Sequence, residues 1–227
     1  MRKVTQYTDT TMQIINSTFT PLLPSGQTAL PPALAPALLR RFACSDGYVA
    51  EPDLVQTIRL LRQATGYDTV VVGVVTNSDD RVPDVLSSLG LKVSPLRYGA
   101  PCEAVNGGQY DIDFHCLSYD VGAEKPDKRM FDAAEEMLRR VAPDEDAQSW
   151  HKVHVGDEHA KDVVGALGAG WDAVLLDIDG AAKDVLSPED AEVGTLQDIF
   201  NSNGHVVKVA SLRGFAASLA KASNRHI

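Results

Sequence analysis

Apolar positions along the chain follow two different spacings, and the way these alternate predicts the architecture. Residues 69–75 (TVVVGVV) are a continuous, mostly β-branched run, the pattern of a strand covered on both faces in a parallel sheet. Shorter apolar runs at 114–119, 151–155 and 173–176 read as further strands, and 205–209 as one more. Between them the spacing becomes helical. Residues 127–141 (DKRMFDAAEEMLRRV) place Met130, Phe131, Ala134, Met137, Leu138 and Val141 on one side of a helix. Helices are also expected at 52–64, with Pro52 near the first turn and Leu54, Ile58 and Leu61 in phase, at 83–89 closed by Gly90, and at 160–167. Residues 190–200 and 211–219 carry further helical pattern, and 96–109 reads as loop. Strands alternating with helices predict an α/β fold, a doubly wound, Rossmann-like parallel sheet.

The amino-terminal part is patterned differently. Met12, Ile14, Ile15 and Phe19 suggest a short helix with one apolar side, a proline-rich stretch from Pro21 to Pro36 breaks regular structure, and 33–42 (ALAPALLRRF) resumes a helical pattern before a turn at Ser45-Asp46-Gly47-Tyr48. The expected organisation is a small helical part over 1–50 and an α/β core over 51–227.

Composition narrows the functional classes. With 21 basic and 31 acidic residues among 227, the net charge of -10 speaks against an unassisted nucleic-acid surface, which needs clustered Lys and Arg. Cys44, Cys102 and Cys116 are odd in number and lack a CxxC, so neither a disulfide framework nor a zinc knuckle is expected. No apolar run reaches the roughly 18–20 residues that span a bilayer, and the start, Met1-Arg2-Lys3 followed by polar residues, does not resemble a signal peptide. The expectation is an intracellular protein with no membrane and no nucleic-acid partner.

Three predicted strand ends carry polar groups that a purely structural strand does not require: Thr76-Asn77-Ser78, the loop GAEKP at 122–126, and KVHVGDEHAKD at 152–162. In an open parallel sheet these ends share one rim, where ligands bind. Thr76, Asn77 and Ser78 can hold phosphate or carboxylate oxygens, Lys125 can neutralise a phosphoryl group, and Asp157 and Asp162 offer oxygen ligands suited to Mg²⁺. Helix capping is the competing reading for Thr76-Asn77-Ser78, and for Asp157 ahead of the 160–167 helix.

Hydroxyl, Lys and Gly-Asp at consecutive strand ends, in that order, resemble the second, third and fourth motifs of the haloacid dehalogenase-like hydrolase superfamily. Thr76 matches the second motif, Lys125 the third, and Gly156-Asp157 with Asp162 the fourth, GDxxxxD. The KPD beginning at Lys125 and the Gly-Ala-Gly-Trp at 168–171 are typical of the family too, and residues 12–48 look like the distal part of the helical cap of one subgroup. The resemblance implies Mg²⁺-dependent hydrolysis of a small phosphorylated metabolite through an aspartyl-phosphate. Thr76 and Lys125 would hold the phosphoryl oxygens, Asp157 would bind Mg²⁺, and Asp162 would orient the loop or a metal-bound water.

The family's first motif, DxDx[TV] on the central strand, is not found. Asp9-Thr10-Thr11 lacks the strand and the paired Asp, and LLDIDG at 175–180, with Asp177 and Asp179, follows the fourth motif instead of preceding the second. The chain therefore reads as an amino-terminally shortened member, inactive as given and weak in Mg²⁺ binding. The inner edges of the 69–75 and 151–155 strands must then pair with each other, recruit residues 1–8, or stay open. The alternatives are a non-catalytic phosphate-binding protein using Thr76, Asn77 and Lys125, or a redox or metal role for Cys102, Cys116, His115 and His154.

Overall fold

In the computed structural model the described residues are 2–64, 67, 69–101, 110–146, 149–180, 200 and 205–223. They divide into two compact units, Met1–Val49 with Arg81–Leu89, and Ala50–Asp80 with Gly90–Ile227.

The first unit is helical. Helix α1 (Arg2–Phe19) packs with α2 (Leu34–Phe42), so the amino-terminal helix is longer than its apolar spacing predicts. A 3-10 turn at Ser45–Gly47 follows, and α4 (Val82–Ser88) meets it where the Ser45 N–H donates to Ser88 Oγ at 2.7 Å. Gly47 is required there: a Cβ would lie 2.1 Å from the Arg41 carbonyl oxygen.

The second unit is the α/β part. Helix α3 (Leu54–Ala64) leads to β1 (Gly73–Thr76), which pairs in parallel with β2 (Phe114–Leu117). After the short helix α5 (Ser118–Val121) come α6 (Arg129–Val141), β3 (Val153–Gly156), one π-helical turn (His159–Val163), α7 (Val164–Gly168), β4 (Asp172–Leu176), β5 (Val206–Val209) and α8 (Leu212–Ser223). Strands β3, β4 and β5 form a second parallel sheet in that order. Alternate residues of β4 serve opposite faces, as the strand period of two demands. Ala173 and Leu175 join Phe131, Met137 and Trp171 in one core, while Val174 meets Val207, Phe215 and Leu219 in another, which also receives Leu60 and Leu61 of α3. Helices on both faces of parallel strands bear out the α/β, Rossmann-like expectation.

The strand predicted over 69–75 begins later, at Gly73, for a specific reason. Side chains engage the backbone just before it: Arg62 Nη1 donates to the Val70 carbonyl at 2.9 Å, and the Val72 N–H donates to Asp113 Oδ2 at 2.8 Å. Gly73 then lies under the Phe114 ring, which a Cβ would meet at 2.2 Å. The single helix expected over 160–167 is instead a π turn running into α7. Residues 2–8 belong to helix α1, so they do not supply a strand between β1 and β3. Among the described residues β1 and β3 do not pair with each other. The helix expected over 190–200 and the 96–109 loop lie largely outside the described residues.

Candidate functional site

The loop after β3 is shaped by a glycine. His154 and Gly156 share one face of β3, two residues apart. A Cβ on Gly156 would sit 2.2 Å from Asp162 Cγ, so the missing side chain is the space into which the Asp162 carboxylate folds back. Its Oδ2 accepts the Glu158 N–H at 2.9 Å, which ties the GDEHAKD loop to its own helical turn. Its Oδ1 accepts from Lys125 Nζ at 2.6 Å and faces His154 Nε2 at 3.1 Å.

A carboxylate oxygen only accepts, so His154 carries its proton on Nε2. The 3.5 Å approach of Lys125 Nζ to His154 Nε2 is therefore packing between two donors. Burial opposes the charge on Asp162, but hydrogen bonds from His154, Lys125 and the Glu158 N–H outweigh it and hold the carboxyl well below its ordinary 3.8. The edge of the Phe131 ring packs on His154, centroids 5.3 Å apart.

Lys125 is fixed at both ends. Asn77 Nδ2 donates to the Lys125 carbonyl at 3.1 Å, and Asn77 Oδ1 accepts the Lys125 N–H at 2.7 Å. The Lys125–Pro126 peptide is cis. At the far end Nζ also donates to the Val75 carbonyl of β1 at 2.9 Å. Thr76 lies between the two residues that grip Lys125, so the hydroxyl-bearing residue and the lysine are brought together at the carboxyl end of β1. The ammonium reaches from β1 to the Asp162 carboxylate held against β3, joining two strands that do not pair among the described residues.

The remaining predicted positions fall as follows. The Ser78 carbonyl accepts from the Tyr119 N–H and from Ser118 Oγ, both at 3.2 Å, linking the end of β1 to the end of β2. Asp157 is exposed at the tip of the loop, and Glu158 pairs with Lys161 at 2.9 Å. Asp177 follows β4, where its N–H donates to the Val209 carbonyl at 2.8 Å and its carboxylate lies 3.4 Å from Lys208 Nζ; it continues the β4–β5 ladder. Asp9 falls within α1. Cys102 lies outside the described residues. His115 and Cys116 are neighbours in β2 and hence on opposite faces; burial pushes the Cys116 thiol up to about 12 and, with Arg97 adding, His115 down to about 4.

Two contributors were not anticipated from the sequence: His154, read as an ordinary strand histidine, and the Val75 carbonyl. The signal for His154 was its period-two relation to Gly156. The residues present do not by themselves fit a resident Mg²⁺. Among the described residues no group of three or more His, Cys, Asp or Glu could hold a metal, and both Asp162 oxygens are engaged by protein donors.

A hydroxyl-bearing residue, a carboxylate-anchored ammonium and a Gly-Asp loop thus stand together at the carboxyl ends of parallel strands in an α/β fold. Residues 122–198 match the HAD-hydrolase-like family. An uncharacterised hydrolase of Schizosaccharomyces pombe is 29% identical over 151 residues, covering 66% of this chain and 57% of that protein. An uncharacterised protein of Saccharomyces cerevisiae is 30% identical over 156 residues, covering 65% and 45%. A solved HAD phosphatase from Thermococcus onnurineus aligns with a TM-score of 0.46 at 26% identity, over 75% of this chain and 64% of that one. Over residues 122–198 the chain is similar to the haloacid dehalogenase-like hydrolase superfamily, and it spans about half the length of the curated relatives it matches. Members of this superfamily generally use Mg²⁺. Among the described residues no helix is long and apolar enough to cross a membrane.

Proposed function

We propose that these residues form the phosphate-holding part of an aspartyl-phosphate hydrolase site, which binds the phosphoryl group of a small metabolite. The Thr76 hydroxyl and the Lys125 ammonium hold phosphoryl oxygens, as a fixed donor and a fixed charge. Asn77 acts on the substrate through Lys125, and Ser78 by holding the β1 end against the β2 end. Asp162 and His154 keep the ammonium in place. Asp157 is an exposed carboxylate of the loop, and alone it does not make a Mg²⁺ site. The observation that carries this reading is the anchorage of Lys125 Nζ, 2.6 Å from Asp162 and 2.9 Å from the Val75 carbonyl.

Covalent catalysis needs a carboxylate nucleophile at the same rim, and no DxDx[TV] occurs in the 227 residues. The chain by itself therefore binds phosphate without turning over a phosphate ester. Incubation with p-nitrophenyl phosphate and Mg²⁺ should release no p-nitrophenol above background. Release that disappears in Asp157→Asn would overturn the claim. Inorganic phosphate at millimolar concentration should raise the unfolding temperature, and Thr76→Val should reduce that rise; no rise in the unsubstituted chain would remove the pocket.

A further inference from the structure

A second polar cluster lies at the opposite, amino ends of β3, β4 and β5. The parallel register puts Val153 beside Asp172 and Ala173 beside Val206, so His151 and His205, one on each neighbouring strand approach, flank Asp172. Asp172 Oδ2 is 2.5 Å from His151 Nε2, and Oδ1 is 2.6 Å from His205 Nδ1. Since the carboxylate only accepts, His151 carries a proton on Nε2, and its neutral form leaves Nδ1 as a base. Tyr67 stands at that nitrogen, its hydroxyl 2.9 Å away, with the two rings edge to face at 6.2 Å. The Phe200 ring closes the other side of the imidazole at 5.5 Å. Phenol, imidazole and carboxylate thus stand in the order of nucleophile, base and orienting acid. Tyr67 is also accessible, being 42% exposed.

We propose that Tyr67 is a nucleophilic phenol, the modification site for small neutral acyl donors, with His151 as its base and Asp172 as the residue that positions that base. The phenol oxygen forms a bond to the acyl carbon as the bond to the leaving group breaks. The phenol proton passes to His151 Nδ1, Asp172 stabilises the imidazolium, and the proton then goes to the departing group. A neutral donor fits better than an anionic phosphoryl donor. Asp172 lies in the cluster, Glu145 sits 3.2 Å from Thr69 two residues from Tyr67, and Lys152 beside His151 turns its Nζ to Glu135 at 2.6 Å. This site is independent of the phosphate reading.

Two other tyrosines serve as internal standards. Tyr48 is 44% exposed and donates to the Phe42 carbonyl instead of a base, and Tyr119 is 52% exposed. The folded chain is treated with N-acetylimidazole at neutral pH, and O-acetylation is followed at each tyrosine by peptide mass spectrometry. Tyr67 should react at least about tenfold faster than Tyr48 and Tyr119, within the range of general-base assistance. Asp172→Asn and His151→Gln should bring it down to their rate while leaving theirs unchanged. If a substitution unfolds the chain, all tyrosines accelerate together and the ratio in the unsubstituted protein decides. A Tyr67 rate no greater than that of the two standards, or one unaltered by both substitutions, overturns the proposal.

Discussion

Asp162 and Asp172 are both buried carboxylates shared between two basic partners, yet they stand in different electrostatic settings at opposite ends of the same strands. Asp162 is buried but accepts from a histidine, a lysine ammonium and a backbone N–H, and these hydrogen bonds outweigh burial and hold it ionised well below its ordinary range. Asp172 faces two imidazoles, each of which meets it with a ring N–H. The first arrangement anchors the charge that the proposed phosphate site uses. The second orients a base. A carboxylate's role is thus set by whether its partner's charge is permanent or conditional.

The largest effect that separates them is on stability. Asp162→Ala leaves the Lys125 ammonium, which is nearly as buried as its partner, with the Val75 carbonyl as its remaining acceptor among the described residues. Breaking a buried pair in this way costs about 3–5 kcal/mol, so the midpoint of thermal unfolding should fall by roughly 6–20 °C in a domain of this size. Asp172→Asn keeps an acceptor for one imidazole and should cost about 1–3 kcal/mol by urea titration. An equal loss for the two substitutions would erase the distinction.

Gly156→Ala probes the same pocket by crowding. Its Cβ meets Asp162 Cγ at 2.2 Å, so the loop must shift, at about 1–3 kcal/mol, and the phosphate-induced rise in unfolding temperature should shrink with it. A full response to phosphate in Gly156→Ala would separate the loop from the pocket.

Acid resolves the contributions by pH. The folded Asp162 value lies below its ordinary 3.8, so its ionised form adds stability above about pH 4, and this is lost as pH falls from there through the lower folded value. His115 is also depressed, from 6.5 to about 4 by burial first and Arg97 second, with Asp120 opposing. Its neutral form adds stability above pH 6.5, and this declines as pH falls from 6.5 to about 4. The urea midpoint should therefore fall in two steps, the upper flattened by His115→Gln and the lower by Asp162→Asn. Asp127, brought down to about 2 by its exposed partner Arg129, gives the smallest effect: Asp127→Asn should leave the midpoint unchanged at moderate salt. A single step unaffected by either buried-group substitution would contradict this division.

Much of the fold was legible because β-branched runs and helical spacing report burial directly. The 127–141 pattern gave α6 to within two residues, since its apolar side faces one core. The start of β1 was not legible. Residues 70–72 have strand composition, but their backbone groups are taken by Arg62 and Asp113, side chains 8 and 41 residues away in sequence. In the candidate site, Lys125, Asp157 and Asp162 could be picked out because Gly-Asp spacing and a lysine before proline are local features. That both ends of the Asn77 amide are spent on the Lys125 backbone is a contact across 48 residues. The Tyr67, His151, Asp172 and His205 cluster joins four stretches of chain through strand register, which local spacing does not encode.

The role proposed for Lys125 is that of an anchored charge beside Thr76 that binds phosphate without chemistry. Calorimetric titration of the full chain with inorganic phosphate tests this most directly, run in parallel with Thr76→Val, which leaves the Lys125 ion pair in place. Millimolar binding that Thr76→Val weakens several-fold is the predicted result; at phosphate tenfold above Kd it would add about 1.4 kcal/mol of stability. No heat of binding to the unsubstituted chain, or binding that Thr76→Val leaves unchanged, would contradict it.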